Sequence, residues 1–285
     1  MARRSALVIA GVNIAAEPPH SPKLYENLIA YIKDNKITGI FGNERLEIES
    51  FSVDRETNII DGTFSRYSYI DPKKPWWDSN KGEKILDEQG NPIPQVDEGK
   101  GPNQKSILFS FNLNNHKLLI DEKNITINSF QRALDSILCN EDIVKEFGTI
   151  NVTKIPSQDV VEYILSICKL EKIHFKLTIP NPDLTSDPQL EAEIFQRFQN
   201  IKAGAVEGVI TSQKHEDIVP DKKLKATLFV ASRNGFVETK GKDENGEKDE
   251  RSTREHPKRK RTTYKASLSR AKVFSEFVRS LFQSF

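Results

Sequence analysis

The sequence predicts an α+β protein: mixed, largely antiparallel sheets with helices packed on them, plus a C-terminal amphipathic helix. Three observations carry this expectation. Strand-like segments follow one another in pairs between helix-like ones, unlike the regular alternation of a doubly wound parallel sheet. Asn114-Asn115 and Asn234-Gly235 each stand between apolar runs, as hairpin turns do. Ile173, Phe175, Leu177 and Ile179 alternate strictly with His174, Lys176 and Thr178, which is the pattern of a strand with one buried face.

Taken in order, Ala6 to Ile14 is apolar and β-branched, as a buried strand is. Ser21-Pro22 opens a helix, Ser as its cap and Pro at its first position, with Leu24, Leu28, Ile29 and Ile32 on one face. Leu46 to Val53 and Ile59 to Ile70 read as two strands. Residues 71–104 carry recurrent prolines and read as a long loop or insertion. Ser106 to Leu113 and Lys117 to Ile120 resume the strands. A helix near-capped by Ser129, a strand from Gly148 to Ile155 and a helix capped by Ser157 follow. Beyond the Ile173 strand, Pro180 to Asp183 forms a turn, Gln189 to Ala203 a helix, and Val206 to Ile210, Leu224 to Ala231 and Phe236 to Lys240 strands. The expected organisation is an N-terminal α+β region over 1–104, a second over 105–240, and a charged tether with a terminal helix over 241–285.

Hydrophobic residues make up 36% and charged residues 29%, enough apolar content for a packed core over most of the 285 residues. Cys139 and Cys168 are too few for a disulfide scaffold and read as small core residues. Arg3 and Arg4 mimic the start of a signal peptide. The apolar run after them is short and continues as a strand, so the expected location is the cytoplasm, with no membrane span.

Net charge is +1, but it is unevenly spread. Gly241 to Glu250 sets Lys242 and Lys248 against five acidic residues, whereas Arg251 to Lys272 holds nine Lys and Arg against Glu255 alone. Arg251, Arg254, Lys258, Arg259, Lys260, Arg261 and Lys265 are therefore candidate phosphate contacts. The rival reading is a solvated linker. Phe274, Phe277, Val278, Leu281, Phe282 and Phe285 then form a helical stripe, expected either on the chain's own core or at an oligomer interface; the interface is preferred. Trp76-Trp77, in the Pro-rich loop, are candidates for base stacking; the preferred reading is that both pin the loop.

No signature of catalysis is present. Gly99-Lys100-Gly101-Pro102 lacks phosphate-loop spacing, and the five histidines show no metal-ligand spacing. No cofactor and no metal are expected. Asp183, at a strand end, is the first candidate for a dispersed nuclease site, against a commoner role as a turn residue.

Ile107 to Ile120 (ILFSFNLNNHKLLI), Ile173 to Asp183 (IHFKLTIPNPD) and Asn234 to Pro257 (NGFVETKGKDENGEKDERSTREHP) resemble an uncharacterised bacterial family found among phage-defence genes. The layout is more distantly similar to RexA of phage lambda. The resemblance implies a binding or sensing protein active during phage infection, a dimer on DNA; taken with the basic segment and the terminal stripe, the expectation is a DNA- or RNA-binding protein of abortive-infection defence, partnered by further copies of itself or by a second defence protein. The alternatives are a metal-dependent nuclease or other toxic effector, and an accessory subunit that binds protein.

Overall fold

The computed structural model describes residues 4–16, 21–71, 73–93, 100–157, 159–178, 193, 196, 197, 200–214, 216–282 and 285. Its frame is one large antiparallel sheet. The long first strand, β1 (Arg4–Ala16), pairs in turn with three others along its length. After helix α1 (Pro22–Asp34) come β2 (Gly39–Phe41), β3 (Glu44–Asp54) and β4 (Ile59–Ser68), and further on β7 (Lys105–Asn112) and β8 (Lys117–Asp121). The strand order is β14-β1-β8-β7-β4-β3-β2, with β14 (Arg259–Lys265) drawn from near the C-terminus and β9 (Ile150–Lys154) also pairing β1.

Strand alternation sorts side chains to the two faces. Ala10, Val12 and Ile14 of β1, with Phe109 and Phe111 of β7, face α1, α2 (Ile127–Leu138) and α3 (Glu141–Phe147). Leu7, Ile9, Ile59 and Leu119 face the terminal helix, α6 (Arg270–Leu281). A second antiparallel sheet, β11-β10-β12-β13, comprises β11 (Ala205–Thr211), β10 (Lys169–Thr178), β12 (Gly235–Lys242) and β13 (Lys248–Ser252). Its buried face, with Ile173, Leu177 and Val237, packs on α4 (Val160–Leu165) and α5 (Lys222–Arg233). An isolated bridge between Pro156 and Pro257 pairs the two chain segments that pass between the sheets.

The α+β class and the antiparallel pairing are as expected, and Ser21 caps α1 by accepting from Leu24 N at 3.3 Å. Several finer expectations are corrected. Leu224 to Ala231 is helical: Asp221 accepts from Leu224 N at 2.7 Å, and Leu224, Leu228 and Ala231 fall three and four apart on the buried side. Asn234 consequently ends a helix and does not turn a hairpin. Thr126, not Ser129, caps α2, and α4 stops at Leu165, behind Asp159. The short helix α3, capped by Asn140, lacks enough length to show its period. Both cysteines are exposed, since each follows the last turn of its helix. The loop over 71–104 contains a hairpin, β5 (Trp76–Asp78) with β6 (Glu83–Ile85). A boundary at 104/105 cuts through the main sheet, because all of β7 pairs with β4, from Lys105↔Arg66 to Asn112↔Ile59. The presumed tether over 241–272 supplies the end of β12 and all of β13 and β14. Asp183 and most of the expected helix over 189–203 lie outside the described residues.

Candidate nucleic-acid interface

β14 is the edge of the main sheet and pairs β1 from Arg4↔Lys265 to Ala10↔Arg259. Cross-strand partners share a face, so Arg259, Arg261 and Lys265 project on the side of Ala10, Val8 and Arg4. All four cations are exposed. Arg259 is paired with Glu122, at 2.5 and 3.1 Å, and this contact raises its pKa further. Arg4 and Lys265 stand directly opposite one another, and neither they nor Arg261 makes an ion pair among the described residues. Like charges opposed across strands cost stability, so nothing in the fold itself asks for this arrangement. Lys260 is exposed too, but its register with Ile9 puts it on the other face.

The remaining basic candidates serve the fold. Arg251 binds Asp249 at 2.7 Å, donates to Tyr163 O at 2.6 Å and Ser166 Oγ at 2.8 Å, and stacks on the Tyr163 ring. Arg254 meets Glu238 at 3.3 Å and lies 3.6 Å from the Phe236 ring centroid. Lys258 is half-buried 5.4 Å from the Phe285 ring, and burial holds its pKa below the ordinary lysine value. Arg270, outside the predicted set, clamps buried Asp121 at 2.5 and 2.7 Å.

The tryptophans lie at the opposite end of the sheet. From β14 to β2 there are six strand steps, roughly 29 Å along the sheet. Trp76 is half-buried beside a pocket shared with Arg45, Tyr69 and Lys74, where the Arg45 guanidinium sits 4.1 Å from the Tyr69 ring centroid. Trp77 is 63% exposed. The basic strand and the aromatic hairpin thus stand by different strands of the sheet, and the pocket beside Trp76 includes no residue of β14.

The terminal stripe is not available to a second subunit. Phe274, Val278, Leu281, Phe282 and Phe285 are buried against Leu7, Ile9 and Leu119, with Phe277 half-buried beside them. The expected oligomer interface is thus core, and the apolar face of the sheet is what attracts it. Asp183, the nuclease candidate, lies outside the described residues, and among those residues no group of three His, Cys, Asp or Glu is placed to hold a metal. No described helix is long and apolar enough to cross a membrane.

Between the two sheets lies a polar cleft of about 210 Å³. One wall is Asn151 to Lys154 of β9 with Gln131 of α2; the other is Lys176 and Thr178 of β10 with Phe236 of β12. β12 approaches closely here: a Cβ on Gly235 would sit 2.0 Å from Lys176 O. Sequence reasoning missed Arg4, Lys154 and Lys176, because each acquires its neighbours only through long-range pairing.

A protein family described as a domain of unknown function, DUF4747, matches residues 6–279. No curated protein matches the chain.

Proposed function

The chain belongs to the DUF4747 family, a domain of unknown function, and we propose that it binds nucleic acid through phosphates, on the cationic face of β14. The observation that supports this reading most is the opposed, uncompensated pair Arg4 and Lys265 beside Arg261. A polyanion supplies the counter-charge that the fold omits, and releases its own counterions on binding. Side chains on a regular strand repeat every second residue, so Arg259, Arg261 and Lys265 offer a row of charge without base readout. The resemblance of Ile107 to Ile120 and of Ile173 to Asp183 favours anti-phage defence of the abortive-infection type, in the cytoplasm, as the setting.

A second reading has its own support. β14 is an edge strand, and exposed Lys and Arg on an edge block edge-to-edge aggregation. The double variant Arg261→Ala/Lys265→Ala separates the two. Nucleic-acid binding predicts weaker affinity for all sequences alike, and a log–log salt slope shallower by up to about 1.8 for two lost duplex contacts. Unchanged affinity and slope, with a rise in aggregation, assigns the cations to edge protection instead.

A further inference from the structure

The cleft between the sheets has a composition that its position does not require. Lys154, Lys176 and Arg254 line it, and among the described residues no carboxylate does. Its hydroxyls are largely occupied: Thr153 Oγ1 donates to Arg233 O at 3.2 Å, Ser232 Oγ to Phe229 O at 2.7 Å, and Thr178 Oγ1 to Asn234 O. Lys154 Nζ donates to Asn128 Oδ1 at 2.7 Å and to Arg254 O. Lys176 and Asn151, on opposite walls, make no side-chain hydrogen bond or ion pair among the described residues. The Arg254 guanidinium carbon lies over the Phe236 ring, 3.6 Å from its centroid, and the side chain is 53% exposed, so it can offer a planar surface for stacking.

We propose that this cleft binds a small phosphate-bearing ligand of the nucleotide class, its phosphates held by Lys176 and Lys154 and its base laid on Arg254. The charge balance of the walls selects an anion. The open amide of Asn151 and the guanidinium plane suit a heteroaromatic ring better than a bare inorganic ion does. Electrostatics point the same way: burial, then Arg254 and Arg132, hold Lys154 below its ordinary pKa, against the opposing pull of Glu255. A bound phosphate relieves that crowding. The site differs from the β14 face, and its test does not depend on that reading.

Titration calorimetry of the full chain with pyrophosphate and with AMP tests the proposal, the fold of each variant being checked by circular dichroism. Saturable binding of both is expected. Lys176→Ala should weaken pyrophosphate binding roughly tenfold, as the loss of one charge-assisted hydrogen bond does. Asn151→Asp, which sets a carboxylate across from Lys176, should weaken it as well, while Lys145→Ala, at an exposed position of α3 away from both proposed sites, should leave it unchanged. Absence of saturable heat with pyrophosphate, or binding unaffected by both cleft variants, overturns the proposal. So does an equal loss in Lys145→Ala, which makes pyrophosphate a reporter of general surface charge. Pyrophosphate binding without AMP binding rejects the nucleotide class. Displacement of AMP by a single-stranded oligonucleotide assigns the cleft to a polynucleotide and rejects the small ligand.

Discussion

The segment that follows β4 and the segment that follows β12 are both rich in charge and turn residues, and they fold to opposite ends. The first makes a two-stranded hairpin off the main sheet, with Trp77 exposed in its first strand. The second returns to the heart of the molecule, giving an edge strand to one side of β1 and a covering helix to the face beneath. The difference lies in what each has to bury. Residues 76–93 offer isolated apolar side chains, of which Trp77, Leu86 and Ile93 stay exposed. Residues 270–285 offer an unbroken stripe, and Leu7, Ile9, Ile59 and Leu119 present a matching apolar face.

The largest effect is therefore expected in the terminal helix. Phe274 is 3% exposed, and Phe274→Ala should cost about 3–5 kcal/mol of stability. For a chain of this size, that is roughly 6–20 °C in melting temperature. Light scattering should show no change of mass. A change of mass with an unaltered melting curve would instead mean that the helix serves assembly, and would break the comparison.

Much of this architecture was legible because its signals are local. Ser21-Pro22 marks a helix start whatever surrounds it, and the strict alternation from Ile173 identifies β10. The stripe of α6 was legible as a helix, but not its destination, because the face that receives it comes from strands far away in sequence. Residues 222–233 were misread because Leu228-Phe229-Val230 has strand propensity, while the capping Asp221 and the spacing of Leu224, Leu228 and Ala231 decide for helix. The candidate site was legible only in part. Arg259, Arg261 and Lys265 stand out by local density, but only the register of β14 on β1 separates them from Lys260 and sets them with Arg4.

Lys117 sharpens the comparison at intermediate scale, since it lies under the end of the terminal helix and donates to Phe282 O at 3.4 Å. Burial, with Arg233 and Lys258 nearby, lowers its pKa from 10.5 to about 8. Below pH 8 it is charged in both folded and unfolded chains, and the cost of burying that charge is present in full. Between pH 8 and 10.5 the folded chain has shed the proton that the unfolded chain still binds, so its contribution to stability rises with pH. Tyr67 opposes this higher up. Burial and its hydrogen bond to Glu47 raise its pKa to about 12, a contribution present below pH 10 and lost as pH climbs through 12. Stability from these two groups should peak near pH 10. Lys117→Met should raise stability at pH 7 by on the order of 1 kcal/mol and flatten the rise above pH 8. A variant with the parent's pH profile in chemical denaturation would show that Lys117 is not the group responsible.

The smallest effect on the fold is expected at the hairpin. Trp77 is 63% exposed, so Trp77→Ala removes little buried area and should change stability by no more than about 0.5 kcal/mol. Trp76 borders the pocket with Arg45 and Tyr69, and Trp76→Ala should cost measurably more. The two residues are adjacent in a strand, so their side chains leave opposite faces and the variants report separate surroundings. Binding provides the contrast. If a base stacks on the exposed ring, Trp77→Ala should weaken single-strand binding by about 1–3 kcal/mol while the melting curve stays in place. That outcome would give the molecule two nucleic-acid contacts at opposite ends of one sheet, phosphates on β14 and a base on the hairpin. Equal binding by Trp77→Ala and its parent would leave β14 to bind alone. A fall in melting temperature as large as that of Phe274→Ala would show that the hairpin is as integral to the core as the terminal helix, and would erase the difference between the two segments.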